Sequence, residues 1–197
     1  MKTAPDATTK TTLRRAVFVA LVCLLAALDG VGAARAQTGG ASEEVMDTAQ
    51  TPAGELSLVR RREQEGNVVI VIKLGDKVVA EKTASREGDA YESASFAGLY
   101  PRAAPRYALV GFSTGALVCG AKFTVVDLSG GASGAKATED FGNCSDGPRV
   151  SYRRGALTVT FPAGPGKRDP GTHYVGPGQV WSYSNGRLRL VGGRRRS

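Results

Sequence analysis

The chain has 197 residues, 26 lysines and arginines against 18 aspartates and glutamates, a single histidine and a formal net charge of +8. With one histidine and no C-x-x-C pair it lacks the ligand set of a zinc site. The basicity is concentrated at the two ends of the chain, so the charge alone does not argue for nucleic acid.

Met1–Arg15 is polar and carries Lys2, Lys10, Arg14 and Arg15. It is followed by an unbroken apolar run, Ala16–Leu28, and by a short segment ending in Ala34-Arg35-Ala36. This is the order of a secretory signal peptide with an A-x-A site, and cleavage is expected before Gln37. A membrane anchor is the rival reading, but the apolar run is well short of the ~20 residues a spanning helix needs. No stable membrane insertion is expected after cleavage. Arg14-Arg15 fits a twin-arginine export signal only loosely. Cys23 lies inside the apolar run without the small residue that a lipid-attachment site wants before it, and leaves with the signal peptide.

Residues 1–36 carry five cations and two acids, and Arg194–Arg196 add three more cations at the other end. About +2 is then left on the folded part. The exported chain, about 160 residues, is one domain's worth. Its two cysteines, Cys119 and Cys144, are expected to form a disulfide in an oxidising compartment. A loop of about 26 residues closed in this way is worth roughly 3.5 kcal/mol in the chain-entropy model.

Residues 37–55 are small, polar and acidic without periodicity, and read as a disordered leader. A β domain is expected over 56–191, with a basic tail at 192–197. Strands are predicted at Leu56–Arg60, then at Asn67–Leu74 and Lys77–Ala84 around Gly75-Asp76, a hairpin signal. Ser85–Arg106 reads as loop with at most one short strand or helical turn. Tyr107–Phe112 and Leu117–Leu128 are strands, and Phe123 and Val125 of the second share the face of Cys119 while Lys122, Thr124 and Val126 take the other. Val150–Tyr152 pairs with Ala156–Phe161, and Gln179–Ser184 with Arg187–Val191 around Asn185-Gly186. Pro162–Pro177, rich in proline and glycine, is a long loop of the kind that is functional or disordered. The sum is an all-β fold of about eight or nine antiparallel strands, a small sandwich or partly open barrel.

Two features bear on chemistry. Gly111-Phe112-Ser113-Thr114-Gly115 matches the G-x-S-x-G nucleophile elbow, and Asp146 or Asp169 and then His173 follow in hydrolase order. The elbow must run from a strand into a helix, and Leu117–Leu128 is β-branched, so a hairpin turn is the preferred reading. Tyr152, Arg153, Arg154, Trp181, Tyr183 and Arg187 form a candidate binding surface for a sugar or an anion, since Tyr, Trp and Arg are the usual hot-spot residues. The plainer reading of the same residues is a charged hairpin tip and a core tryptophan.

Cys119, Phe123–Asp127, the run Phe141-Gly142-Asn143-Cys144-Ser145-Asp146 and Leu157–Pro162 resemble a group of uncharacterised exported bacterial proteins. Their pattern is a cysteine before an apolar strand, an FG-x-C-S-D turn and a hairpin ending near a proline. The resemblance implies an exported single-domain protein with these cysteines paired, and it brings no catalytic residue. The expectation is a periplasmic or secreted, non-enzymatic β-domain that binds a protein or polysaccharide of the envelope, with neither cofactor, metal nor nucleic acid. The alternatives are an inhibitor of a lysozyme-like or protease target acting through Pro162–Pro177, and a serine hydrolase using Ser113.

Overall fold

The structure is a computed structural model, and it describes residues 42–63, 67–83, 91–114, 119–164 and 176–193. The signal segment and its cleavage site, Asp169, His173, the middle of the Pro162–Pro177 loop and Arg194–Arg196 lie outside the described residues. The described residues belong to one compact unit.

The chain folds as three successive four-stranded antiparallel meanders. Sheet A contains β1 (Ser42–Thr51), β2 (Gly54–Arg62), β3 (Val68–Leu74) and β4 (Lys77–Lys82) in that order. Sheet B contains β5 (Ser93–Tyr100), β6 (Tyr107–Ser113), β7 (Ala121–Asp127) and the two-residue β8 (Lys136–Ala137). Sheet C contains β9 (Arg149–Arg153), β10 (Ala156–Phe161), β11 (Gln179–Ser184) and β12 (Arg187–Gly193). The helix among the described residues is one turn, α1 (Gly131–Gly134). The fold is all-β as expected, and none of the sheets closes into a barrel.

Sheet B is the middle layer, for a reason written in its strands. Tyr107–Val110 are all buried, so this part of β6 has no solvent face, as a near-continuous apolar run requires. Ala108, Val110 and Phe112 pack with Leu56, Leu58, Ile70, Ile72 and Leu74 of sheet A. Tyr107 and Leu109 point the other way and pack with Leu157, Val159, Phe161 and Tyr183 of sheet C. In β7 Phe123 and Val125 face sheet C while Val126 faces sheet A, the alternation predicted for this strand. Each of these aliphatic side chains contributes roughly 1.5–3 kcal/mol by burial.

The twelve strands among the described residues exceed the eight or nine predicted. The clearest correction concerns residues 37–55, read as a disordered leader, because Ser42–Thr51 is a full strand paired along β2. Its polarity is that of an edge strand whose partner is cationic. Glu44 pairs with Arg60, and Glu43 with Lys73 at 2.8 Å, while Met46 packs on the core. A tight turn reverses the chain, with the Thr51 hydroxyl donating to Gly54 O at 2.7 Å and Gly54 at a positive φ. A search for apolar alternation misses such a strand. Ser93–Tyr100, read mostly as loop, is likewise a strand of eight residues.

Both edges of the A–B interface are laced by polar contacts. At one edge the Phe96 amide donates to Asp47 Oδ2 at 2.9 Å. At the other, Lys82 Nζ reaches Thr138 O at 2.8 Å and Asp140 Oδ1 at 2.7 Å, and the Tyr91 hydroxyl donates to the second oxygen of Asp140. The Asn185-Gly186 and Arg154-Gly155 turns of sheet C have positive φ at both central residues, the geometry of two-residue hairpins.

Cys119 and Cys144 are disulfide-bonded, with Cα atoms 4.8 Å apart. The bond joins the entry to β7 to the turn at 141–146. Gly142 in that turn has a φ of 116°, and a Cβ there would meet the Phe161 ring at 3.1 Å, so glycine is required on both counts. The adjacent Asn143 is only 4% exposed. Its side-chain amide donates to Pro162 O at 2.7 Å, Pro177 O at 3.0 Å and Gly176 O at 3.3 Å, and its Oδ1 accepts from the Ser145 amide at 3.2 Å. One side chain therefore ties the disulfide turn to both ends of the Pro162–Pro177 loop.

Candidate functional site

Strand alternation divides the six residues of the candidate binding surface. Tyr152, Trp181 and Tyr183 point inward. Tyr183 is 1% exposed and lies 5.4 Å from the Tyr107 ring, which in turn lies 6.0 Å from Tyr152. Trp181 packs 5.4 Å from Phe141, and its indole N–H donates to Gln179 Oε1 at 2.8 Å. Arg153, Arg154 and Arg187 are exposed. The aromatic and cationic members thus sit on opposite faces of sheet C, and the mixed surface does not form. Tyr183 has a core role: its hydroxyl donates to Asp127 Oδ2 at 2.7 Å.

Asp127 is itself buried in sheet B. Burial pushes its carboxyl up, but donation from Ser129 and Tyr183, with Lys136 nearby, more than offsets this and leaves it below the usual carboxylate range. Burial and the same carboxylate push the Tyr183 phenol well above its ordinary value. The pair is a polar rivet between sheets B and C.

The outward face of sheet C is a different surface. It carries Arg149, Ser151 and Arg153 on β9, Thr158 and Thr160 on β10, Ser182 and Ser184 on β11, and Arg187 and Arg189 on β12. One continuous row runs Ser151, Thr158, Ser182, Arg189 across the four strands. Arginines therefore line both edge strands with hydroxyls between them, and Arg154 extends the set at the β9–β10 turn. Three strand spacings of ~4.8 Å put the two edges about 14 Å apart. A shallow depression of about 500 Å³ lies at the β12 side, lined by Ser182, Ser184, Asn185, Arg187, Arg189 and Val191.

The arginines of this face form no ion pair among the described residues, although Glu139 and Asp140 border the same depression as Arg189 at the β12 edge. On sheet A the cations meet carboxylates: Arg60 with Glu44, Arg61 with Glu81 at 3.1 Å and Lys73 with Glu43 at 2.8 Å. The strands of sheet C contain no acidic residue. Among the described residues Arg149, Arg153, Arg154, Arg187 and Arg189 have neither an ion pair nor a side-chain hydrogen bond. Arginine edges also discourage strand addition, but the guanidinium groups remain available as planar donor forks for carboxylate, phosphate or sulfate. Arg149 and Arg189 were missed by sequence reasoning. The signal was there: alternate arginines in Arg149–Arg153 and Arg187–Leu190, and a single acid, Asp169, after Asp146.

Ser113 ends β6, is exposed, and pairs with Ala121 of the antiparallel β7. The serine motif thus leads back into the neighbouring strand. Ser113 and Asp146 both border a groove between β5–β6 and the start of β9. Comparison of the chain with protein-family models, curated proteins and solved structures gives no match.

Proposed function

We propose that this chain is an exported, non-enzymatic β-domain that binds an acidic polysaccharide of the cell envelope or extracellular space through the outer face of sheet C. The observation that carries the reading is the set of five exposed arginines with no carboxylate among them on the described strands. The signal-like N-terminus and the disulfide support export. The separation of the two arginine rows suits a polymer with repeating anionic groups, which would cross the strands and meet both rows, with serine and threonine hydroxyls beneath. Contacts of this kind are exposed, so binding weakens as salt rises.

The test is retention on immobilised alginate or polygalacturonate, with neutral dextran as control. Wild-type protein is expected to be held at low salt and released by added salt. The double variant Arg187→Glu, Arg189→Glu should lose retention while keeping its thermal transition. Equal retention of that variant, or no retention of the wild type, overturns the reading.

A second reading, inhibition of an envelope or extracellular enzyme, is favoured by one observation: Asn143 fixes both ends of the Pro162–Pro177 loop, as a protruding inhibitory loop would need. If partners captured by pull-down stay bound after the loop is replaced by a short glycine linker, this reading fails.

A further inference from the structure

Sheet C does not cover the whole of sheet B, and the uncovered part is concave. The groove has a volume of about 820 Å³, within the range of small-ligand sites. Its floor is the β5–β6 pair, where Ser93 lies opposite Ser113 and Ser95 opposite Gly111. The wall is formed by Cys144, Gly147, Pro148 and Val150, so the disulfide fixes one side of the groove to β7.

Two glycines make the concavity. A Cβ on Gly111 would meet the Phe123 ring at 3.1 Å, and one on Gly98 would meet the Tyr100 hydroxyl at 2.5 Å. Without those side chains the Phe123 ring lies against the β6 backbone and the Tyr100 ring folds back along β5. Both rings border the groove together with Ala97 and Val150. The serine hydroxyls of β5 and β6, the Tyr100 hydroxyl and the Asp146 carboxylate are polar side-chain groups of its lining residues. No lysine or arginine is among its described lining residues, so its charge preference is opposite to that of the outer face of sheet C.

We infer that this groove is a binding site for a short neutral oligosaccharide. A sugar presents an apolar C–H face, which suits the partly exposed Tyr100 and Val150, and hydroxyl edges, which suit serine hydroxyls able both to donate and to accept and a carboxylate that accepts. An anionic sugar would meet Asp146 with no cation among the described lining residues to offset it. The site shares no residue with the arginine face, since Val150 of β9 borders it from the inner side of sheet C while Arg149 and Arg153 point outward.

The experiment is a titration of the full exported chain, followed by amide chemical shifts, with chitotetraose, cellotetraose and maltotetraose as probes. At least one is expected to shift the amides of Ser93, Ser95, Gly111, Ser113 and Gly147 at millimolar concentration. Filling the groove with Ser95→Trp, or separately with Ser93→Trp, should weaken that binding by about tenfold or more, equal to about 1.4 kcal/mol. The Arg187→Glu, Arg189→Glu variant should bind the probe as the wild type does. Absence of shifts with all three probes, shifts confined to β11 and β12 of sheet C, or shifts unchanged in a folded Ser95→Trp or Ser93→Trp variant would overturn the inference.

Discussion

Replacing Asn143 by aspartate changes almost nothing in shape and reverses the hydrogen bonding. In the native chain the Asn143 amide donates to three carbonyls, at 2.7, 3.0 and 3.3 Å. The carbonyl of Gly176 has a second donor, the Gly164 amide at 3.1 Å, so the carbonyls of Pro162 and Pro177 bear most of the loss. Leaving a buried polar group unsatisfied costs about 1–3 kcal/mol, so Asn143→Ala is expected to cost about 2–4 kcal/mol. An ionised carboxylate at this position donates nothing and faces carbonyl oxygens in a buried site, which raises the cost of Asn143→Asp above that of the alanine variant. The introduced carboxyl has its folded pKa raised above the unfolded value of about 3.9. Its protonated form can still donate one hydrogen bond, so the variant loses stability as pH rises from that unfolded value towards the folded one. Thermal unfolding by circular dichroism with the disulfide intact should show a drop of roughly 4–16 °C for the alanine variant, at 2–4 °C per kcal/mol for a chain of this size. The aspartate variant should be less stable at pH 7 than at pH 4 relative to wild type. A cost below about 1 kcal/mol for both, or no pH dependence of the difference, would refute the view that Asn143 joins the turn to the loop.

Tyr183→Phe keeps the ring packing and removes one donor from Asp127, and should cost about 1.5–3 kcal/mol, the range for a hydrogen bond to a charged group, read by urea denaturation. Because the Asp127 carboxyl is depressed in the folded state, its contribution is present above about pH 3.9 and is lost as pH falls through its folded value. Asp127→Asn should therefore flatten the acid limb of the stability profile. The raised Tyr183 phenol works at the other end, its contribution being complete below about pH 10 and lost as pH rises above it. Reduction of Cys119–Cys144 should lower stability by roughly 3.5 kcal/mol, measured by urea denaturation with and without reductant, and a loss below about 1 kcal/mol would show that the turn is held mainly by Asn143.

Sequence alone determined which segments become strands wherever one face is apolar. Val68–Leu74, Tyr107–Ser113, Ala121–Asp127 and the two hairpins of sheet C were legible because burial imposes a period of two, and Asn-Gly and Arg-Gly turns close the ladders. The cysteine pair was legible from their number. The strand at Ser42–Thr51 was not, because it is polar and acidic and its reason for being a strand is the cations it meets across the hairpin on β2 and on the next strand β3, which apolar alternation does not register. The fate of the candidate surface was decided only in three dimensions. Tyr152 and Arg153 are neighbours in the chain and lie on opposite faces of the sheet, so a patch drawn from sequence proximity dissolves into a core aromatic set and an outer arginine set. The same alternation gathers Arg149, Arg153, Arg187 and Arg189 onto one face, while none of the strands of sheet C contains an acid. Composition reports the sum of charges. Their separation into a paired sheet A and an unpaired sheet C, and the groove left where sheet C stops short of β5, follow from how three meanders stack.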